Sequence, residues 1–273
     1  MKKSFKMTVI LITTAVISGC SSSQSAKIPL MDFQAEMEWK APNPAVGTRP
    51  RILFVGNSHT FYNNLTGIFV NIINASGHKS DVNELSTGYY SLKQFADPQE
   101  KGGAVLENAL TQQKWDFVIL QENTSKALSA AASEEMYPSA RLLDEKIRAA
   151  GGQTVFLMTW APKDGMKNGF KNEKREEIQS DLASSYMTIA EELDSLLIPA
   201  GISFMRCAQE YPDIELWDSD GQHPSPAGSY LAACTAYALI YQESPVDCSY
   251  IGALDEEQAR KLQLVAAQTV LKQ

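Results

Sequence analysis

The residues able to do chemistry gather at two distant places in the chain. Gly56-Asn57-Ser58-His59-Thr60 offers a serine hydroxyl directly after the apolar run Ile52-Leu53-Phe54-Val55. Asp220-Gly221-Gln222-His223-Pro224-Ser225-Pro226 offers a carboxylate three residues before a histidine. A carboxylate that holds the Nδ1 proton of an imidazole leaves Nε2 free to take a proton from a hydroxyl, which makes a serine nucleophilic. Ser225 is a good helix N-cap and Pro226 suits the first helical position, so His223 sits on a short stiff turn. Each half alone has an ordinary reading, Ser58 as a helix cap and Asp220 as a turn residue. Their pairing favours catalysis, with Ser58 as nucleophile, His223 as general base and Asp220 as its orienter. His59 is a poor alternative base, since side chains adjacent on a starting helix diverge.

The elements that must bring these residues together follow from the apolar pattern. Continuous apolar runs at Ile52-Leu53-Phe54-Val55, Phe117-Val118-Ile119-Leu120, Val155-Phe156-Leu157-Met158 and Ile202-Ser203-Phe204-Met205 read as buried parallel strands, with 81–85 as a weaker edge strand. Helical stretches are predicted between them at 61–76, 103–113, 133–150 and 174–197, and an amphipathic tail at 254–271. This alternation predicts an α/β fold, helices on both faces of a parallel sheet, in one domain over residues 50–273. Ligands of such sheets bind beyond the carboxyl ends of the strands. There the sequence places Ser86-Thr87-Gly88-Tyr89-Tyr90, Gln121-Glu122-Asn123-Thr124 and Thr159-Trp160. Tyr89, Trp160 and Trp217 are candidate pocket residues that could stack on a sugar ring, and ordinary packing explains each equally well.

These segments together resemble the SGNH/GDSL hydrolase superfamily. Gly56-Asn57-Ser58-His59-Thr60 is similar to its nucleophile block and Gly88 to its glycine block. Asn123 is similar to its asparagine block, and Asp220-Gly221-Gln222-His223 to its closing Asp-x-x-His block. The resemblance implies a three-layer flavodoxin-like fold with a five-stranded parallel sheet of order 2-1-3-4-5. It also implies an oxyanion hole made by the Ser58 and Gly88 amides and the Asn123 side chain, with Gln121 as the alternative to Asn123. Two positions depart from the family pattern: Asn57 replaces the usual Asp before the serine, and Gln121-Glu122-Asn123-Thr124 replaces Gly-x-Asn-Asp. No cofactor or metal is called for, since three histidines in all make a histidine-rich metal site improbable.

The N-terminus reads as an address. Lys2, Lys3 and Lys6 precede a mostly apolar run over 7–17, too short to span a bilayer comfortably. Ile17-Ser18-Gly19-Cys20 resembles a bacterial lipobox, which implies removal of residues 1–19 and lipidation of Cys20. Residues 20–49, polar and dotted with proline, then read as a tether with a reach of roughly 30 Å, although residues 28–33 include apolar side chains able to dock on the domain. The chain of 273 residues carries 24 Lys+Arg against 32 Asp+Glu, a net charge of −8. Loss of residues 1–19 removes three lysines and no acid, which brings the charge to −11. Such a surface argues against nucleic-acid binding and against attachment to anionic lipid by charge alone. Attachment to the membrane would come through the lipid at Cys20, with the domain on the periplasmic or surface side of a bacterial envelope. If the envelope has an outer membrane, Ser21 after the lipidated cysteine points there. Cys207, Cys234 and Cys248 then permit one disulfide with one thiol left over.

The expected activity is that of a serine esterase on small O-acyl groups, acetyl on carbohydrate foremost. Acyl transfer or lipid ester hydrolysis with the same residues is the alternative within enzymes. A non-catalytic surface lipoprotein that binds glycans is the alternative outside them.

Overall fold

The computed structural model describes residues 30–168 and 171–271. The signal segment 1–19, Cys20 and the first part of the expected tether lie outside the described residues.

The sheet strands are β1 (Arg51–Gly56), β2 (Asp81–Ser86), β3 (Phe117–Leu120) and β4 (Gln153–Leu157), followed by a small antiparallel hairpin of β5 (Met166–Asn168) and β6 (Lys171–Glu173), and then β7 (Leu196–Ile198). The five-stranded sheet runs β2-β1-β3-β4-β7 with every neighbouring pair parallel, which is the order 2-1-3-4-5 among sheet strands. Parallel strands covered on both faces have no polar side to present, and this is why the runs are continuously apolar. Ile52, Phe54, Ile119 and Leu157 join the core on one face; Leu53, Val55, Val118 and Phe156 join the core on the other.

The helices are α1 (Ser58–Phe61), α2 (Leu65–Ala75), α3 (Leu92–Ala96), α4 (Lys101–Gln112) and α5 (Ser129–Ala131), which passes through a π-turn at Ala132–Met136 into α6 (Tyr137–Ala149). Then come α7 (Arg175–Glu192), α8 (Ala200–Glu210), α9 (Pro226–Tyr241) and α10 (Glu256–Leu271). Residues of α2, α8, α9 and α10 fill one core, and residues of α3, α4, α6 and α7 fill the other, giving three layers. No helix among the described residues is long and apolar enough to cross a membrane.

Three expectations are corrected. The fifth strand is Leu196–Ile198, paired with Val155–Leu157, and Ile202-Ser203-Phe204-Met205 lies inside α8. Residues 200–207 are all buried, so the first two turns of this helix show no exposed face and their sequence mimics a buried strand. Gly201 lets the helix start close against β4, because a Cβ there would lie 2.3 Å from the Thr159 carbonyl oxygen. The helix predicted to reach 197 stops at Glu192, where Asp194 (φ 46°) turns the backbone left-handed.

The third correction concerns the tether, whose described part, 30–49, is packed against the domain. Phe33 is buried, the Met31 amide donates to Ser180 Oγ at 2.9 Å, and Trp39 Nε1 donates to the Thr269 carbonyl at 2.7 Å. Further along, the Asn43 and Val46 amides donate to Gln153 Oε1 and Asp116 Oδ1, at the amino ends of β4 and β3. Of the apolar residues in 28–33, Met31 and Phe33 dock, while Leu30 stays exposed. Cys207, Cys234 and Cys248 are all free thiols.

Candidate active site

The nucleophile turn is shaped from beneath by one buried amide. Gln121 Oε1 accepts from the Asn57 amide at 2.8 Å and from Thr60 Oγ1 at 2.9 Å, while its Nε2 donates to the Glu122 carbonyl at 2.6 Å. Gly56 is required at this crossing, since a Cβ would lie 2.5 Å from both Gln121 Oε1 and Thr60 Oγ1. Asn57 caps α1 by accepting from the His59 amide, and its Nδ2 donates to the Tyr90 carbonyl at 2.8 Å. Ser58 thus begins α1, with an amide that has no acceptor within the helix.

The second half of the site is a turn between a short bridge, Trp217 to Pro224, and the start of α9. Ser225 caps α9 through the Gly228 amide, and Pro226 stands at the first helical position as its type suggests. The Gln222 and His223 amides both donate to Asp220 Oδ1 at 2.9 Å, and Gly221 takes a φ of 68° to close the turn. His223 Nδ1 lies 2.5 Å from Asp220 Oδ2, and His223 Nε2 lies 2.8 Å from Ser58 Oγ. Desolvation raises the Asp220 carboxyl, but the bonds from the His223 side chain and from the Gln222 and His223 amides outweigh it and hold the group at about 2. Asp220 is therefore a carboxylate at neutral pH, and the chain Asp220–His223–Ser58 is aligned for proton removal from the serine.

The remaining candidates separate. The Gly88 amide, at the carboxyl end of β2, has no hydrogen bond among the described residues. Asn123 uses its Oδ1 for the Ser125 amide and hydroxyl, which leaves Nδ2 as the free donor. Gln121 has its Oε1 on the nucleophile turn and one Nε2 hydrogen on the Glu122 carbonyl, which favours Asn123 over it as the oxyanion donor. Trp160 is buried, and Trp217, also largely buried, keeps an edge on a cavity beside the Asp220 turn. Trp160 stacks on Phe204 at 4.1 Å and its Nε1 donates to the Gln222 carbonyl, so it supports the base turn from within. Trp217 packs edge-on against Phe204 and donates to the Ala161 carbonyl. Tyr89 is 92% exposed beside Gly88, with a φ of 65° that is uncommon for an aromatic residue.

Three groups near the site have settings that the sequence did not assign, although His59 among them is weighed as a base. Glu122 is fully buried, accepts from the Asn123 amide at 2.6 Å and from the Leu92 amide at 3.1 Å, and so joins the loops that carry Asn123 and Gly88. Burial pushes its carboxyl up to about 8, against the downward pull of those two amides. His59 lies between Trp160 and His223, and burial with the neighbouring His223 lowers it to about 4. Tyr62 stacks on the His223 ring. Glu122 carries the sequence signal of a carboxylate two residues past a fully apolar strand.

No protein-family model and no curated protein matches the sequence. Solved structures do. A candidate SGNH hydrolase from Slackia heliotrinireducens is 28% identical, over 70% of this chain and 98% of its own, at a TM-score of 0.61. A DUF4886 family protein from Bacteroides uniformis is 17% identical over 80% of this chain and 93% of its own, at 0.67. The psychrotrophic esterase EstA from Pseudoalteromonas is 17% identical over 71% of this chain and 97% of its own, at 0.52. The latter two likenesses speak for the fold. The relative matched nearly end to end, the sheet order and the four blocks in their expected chain order support the SGNH/GDSL hydrolase superfamily for this chain.

Proposed function

We propose that the protein is a serine esterase that removes small O-acyl groups, acetyl foremost, from carbohydrate, and that it is held at a bacterial envelope membrane by a lipid on Cys20. The observation that carries the catalytic reading is the unbroken hydrogen-bond chain from Asp220 through His223 to Ser58. Ser58 Oγ attacks the ester carbonyl as His223 Nε2 takes its proton, and the imidazolium is steadied by Asp220. The oxygen that gains negative charge is received by the Ser58 and Gly88 amides and Asn123 Nδ2. Collapse of this intermediate breaks the bond to the alcohol, which leaves with the proton from His223 and an acyl group on Ser58. Water then repeats the sequence, with His223 as base, and releases the carboxylic acid and free Ser58.

A small acyl group is supported by the filled space behind the triad, where His59, Trp160 and Phe204 pack in series. A carbohydrate on the alcohol side is supported by Tyr89 and by the 39%-exposed Phe61, two aromatic faces flanking the serine and glycine segments. The test is hydrolysis of p-nitrophenyl acetate, butyrate and octanoate, and of acetylated xylan, by the purified chain and its Ser58→Ala variant. The expected result is turnover that falls with acyl length, acetate release from xylan, and labelling of Ser58 by a fluorophosphonate. Equal background rates in both proteins without labelling would overturn the esterase reading. Acylated sugar formed from added acceptors would redirect it to acyl transfer.

A further inference from the structure

The chain between α1 and α2 is forced into an unusual shape. Asn63 (φ 51°, ψ 20°) and Asn64 (φ 56°, ψ 53°) are consecutive left-handed residues, and neither is glycine. Asparagine tolerates that region better than other side chains, yet two in succession persist only where their surroundings hold them. Here both amides are used. Asn64 Oδ1 accepts from the Gly67 amide and caps α2. Asn63 Nδ2 donates to the Pro224 carbonyl at 2.8 Å and to Ser229 Oγ at 3.0 Å, across to the base turn and α9. Ser229, fully buried, donates in turn to the Tyr62 carbonyl.

The result is the placement of Tyr62. Its ring lies face to face with the His223 imidazole, centroids 4.0 Å apart and planes within 8°. The other ring near His223, that of His59, is tilted by 39° at 5.5 Å. Trp160 and Lys163 support the same turn through its backbone, at the Gln222 and Gly221 carbonyls. Tyr62 touches the imidazole itself. The Asp220–His223 pair lies on a partly open surface, with side chains 45% and 23% exposed, so the ring needs a cover to stay on Ser58.

We propose that Tyr62, locked in place by Asn63, is a positioning residue of the general base: it holds the His223 ring in the plane that faces Ser58 and offers its π-face to the imidazolium formed when the serine proton is taken. An aromatic face attracts a cation more than a neutral ring, so the contact strengthens on the way to the transition state. This rests on the esterase reading for its kinetic consequence and on geometry alone for the placement of the ring.

The test compares Tyr62→Phe, Tyr62→Leu and Asn63→Gly in the purified chain by esterase kinetics and by NMR of the His223 Hε1 proton. Phenylalanine keeps the face and is expected to turn over like the wild type. Leucine keeps the bulk and loses the face, and kcat should fall roughly 3- to 30-fold with KM unchanged. Glycine adopts the left-handed backbone freely but drops the amide, so Asn63→Gly should lower kcat without lowering the melting temperature. The His223 proton, shielded by the stacked ring, should move downfield in Tyr62→Leu and stay in place in Tyr62→Phe. Equal kcat and equal His223 shifts in all four proteins would overturn the proposal. A wild type without ester turnover, whose His223 shift still follows Tyr62, would sink the esterase reading and leave the positioning role standing.

Discussion

The two halves of the triad are built in opposite ways. Ser58 stands on a turn braced from inside by the buried side chain of Gln121, which serves the Asn57 amide, Thr60 and the Glu122 carbonyl at once. His223 stands on a partly open turn whose backbone carbonyls are caught by side chains reaching out from the body, Trp160 and Asn63 among them. The nucleophile belongs to the core, and the base is fastened onto it. Activity and stability should therefore be inseparable on the first side and separable on the second.

The largest effect is expected on the open side. Asp220→Asn keeps the turn's acceptor oxygen but presents the wrong group to Nδ1, and kcat should drop about 10⁴-fold. Its melting temperature should stay close to the wild type's, which thermal unfolding checks; a large loss of stability would erase the contrast. Next comes Asn123→Ala, which removes one proposed oxyanion donor and should lower kcat about 10²- to 10³-fold. The alternative donor is tested by Gln121→Ala, where the braced side should answer differently. Three buried groups lose their partner, and urea unfolding should show a loss of about 2–3 kcal/mol, together with reduced turnover. Unchanged stability there would break the comparison at its root.

A smaller effect is the pH dependence of stability. Burial holds Glu122 protonated in the native state up to about 8, whereas in the unfolded chain it ionises near 4.5. Within that window the native state binds the extra proton, so this group's contribution falls as pH rises and levels off above about 8. His59, lowered to about 4, works in the opposite sense below its unfolded range near 6.5. The Glu122 effect thus stands out between these limits, and Glu122→Gln should flatten the stability curve from pH 6.5 to 8 in urea titrations. The smallest effect is expected at the rim, where Tyr89→Ala should raise KM for acetylated xylan several-fold while leaving KM for p-nitrophenyl acetate unchanged, on the order of one stacking contact.

Ser58 and Asn123 are legible because they follow buried strands with continuous apolar runs, whereas Gly88 follows the half-exposed edge strand β2 and the Asp220–His223 pair is marked by the helix cap behind it. Ser58, Gly88, Asn123 and the Asp220–His223 pair stand where those strand ends and caps put them. What failed was local pattern without tertiary context. A helix whose first eight residues are all buried, as in α8, is indistinguishable from a strand by periodicity, which is why Ile202–Met205 reads as one. Trp160 and Trp217 follow or adjoin loop segments in sequence, but their rings turn inward onto Phe204. Gln121 carries a donor that suits an oxyanion, and only the tertiary structure reveals that its oxygen braces the nucleophile turn and its Nε2 bonds the Glu122 carbonyl. The stacking of Tyr62 on His223 joins residues 161 positions apart and depends on two left-handed asparagines, which no short motif encodes.

The docked N-terminal segment has a consequence for how the enzyme meets its surroundings. It climbs from Asp116 and Gln153, at the amino ends of the strands, to Ser180, in the second turn of α7, whose first residue lies on the catalytic side of the sheet. The fastening point is thus displaced toward the working end of the molecule. Met31 lies eleven positions beyond Cys20, a span of at most about 40 Å when fully drawn out. With acyl chains on Cys20, as proposed, the domain would hang on a short leash tied near its mouth, and the substrate it samples would be the layer next to the membrane.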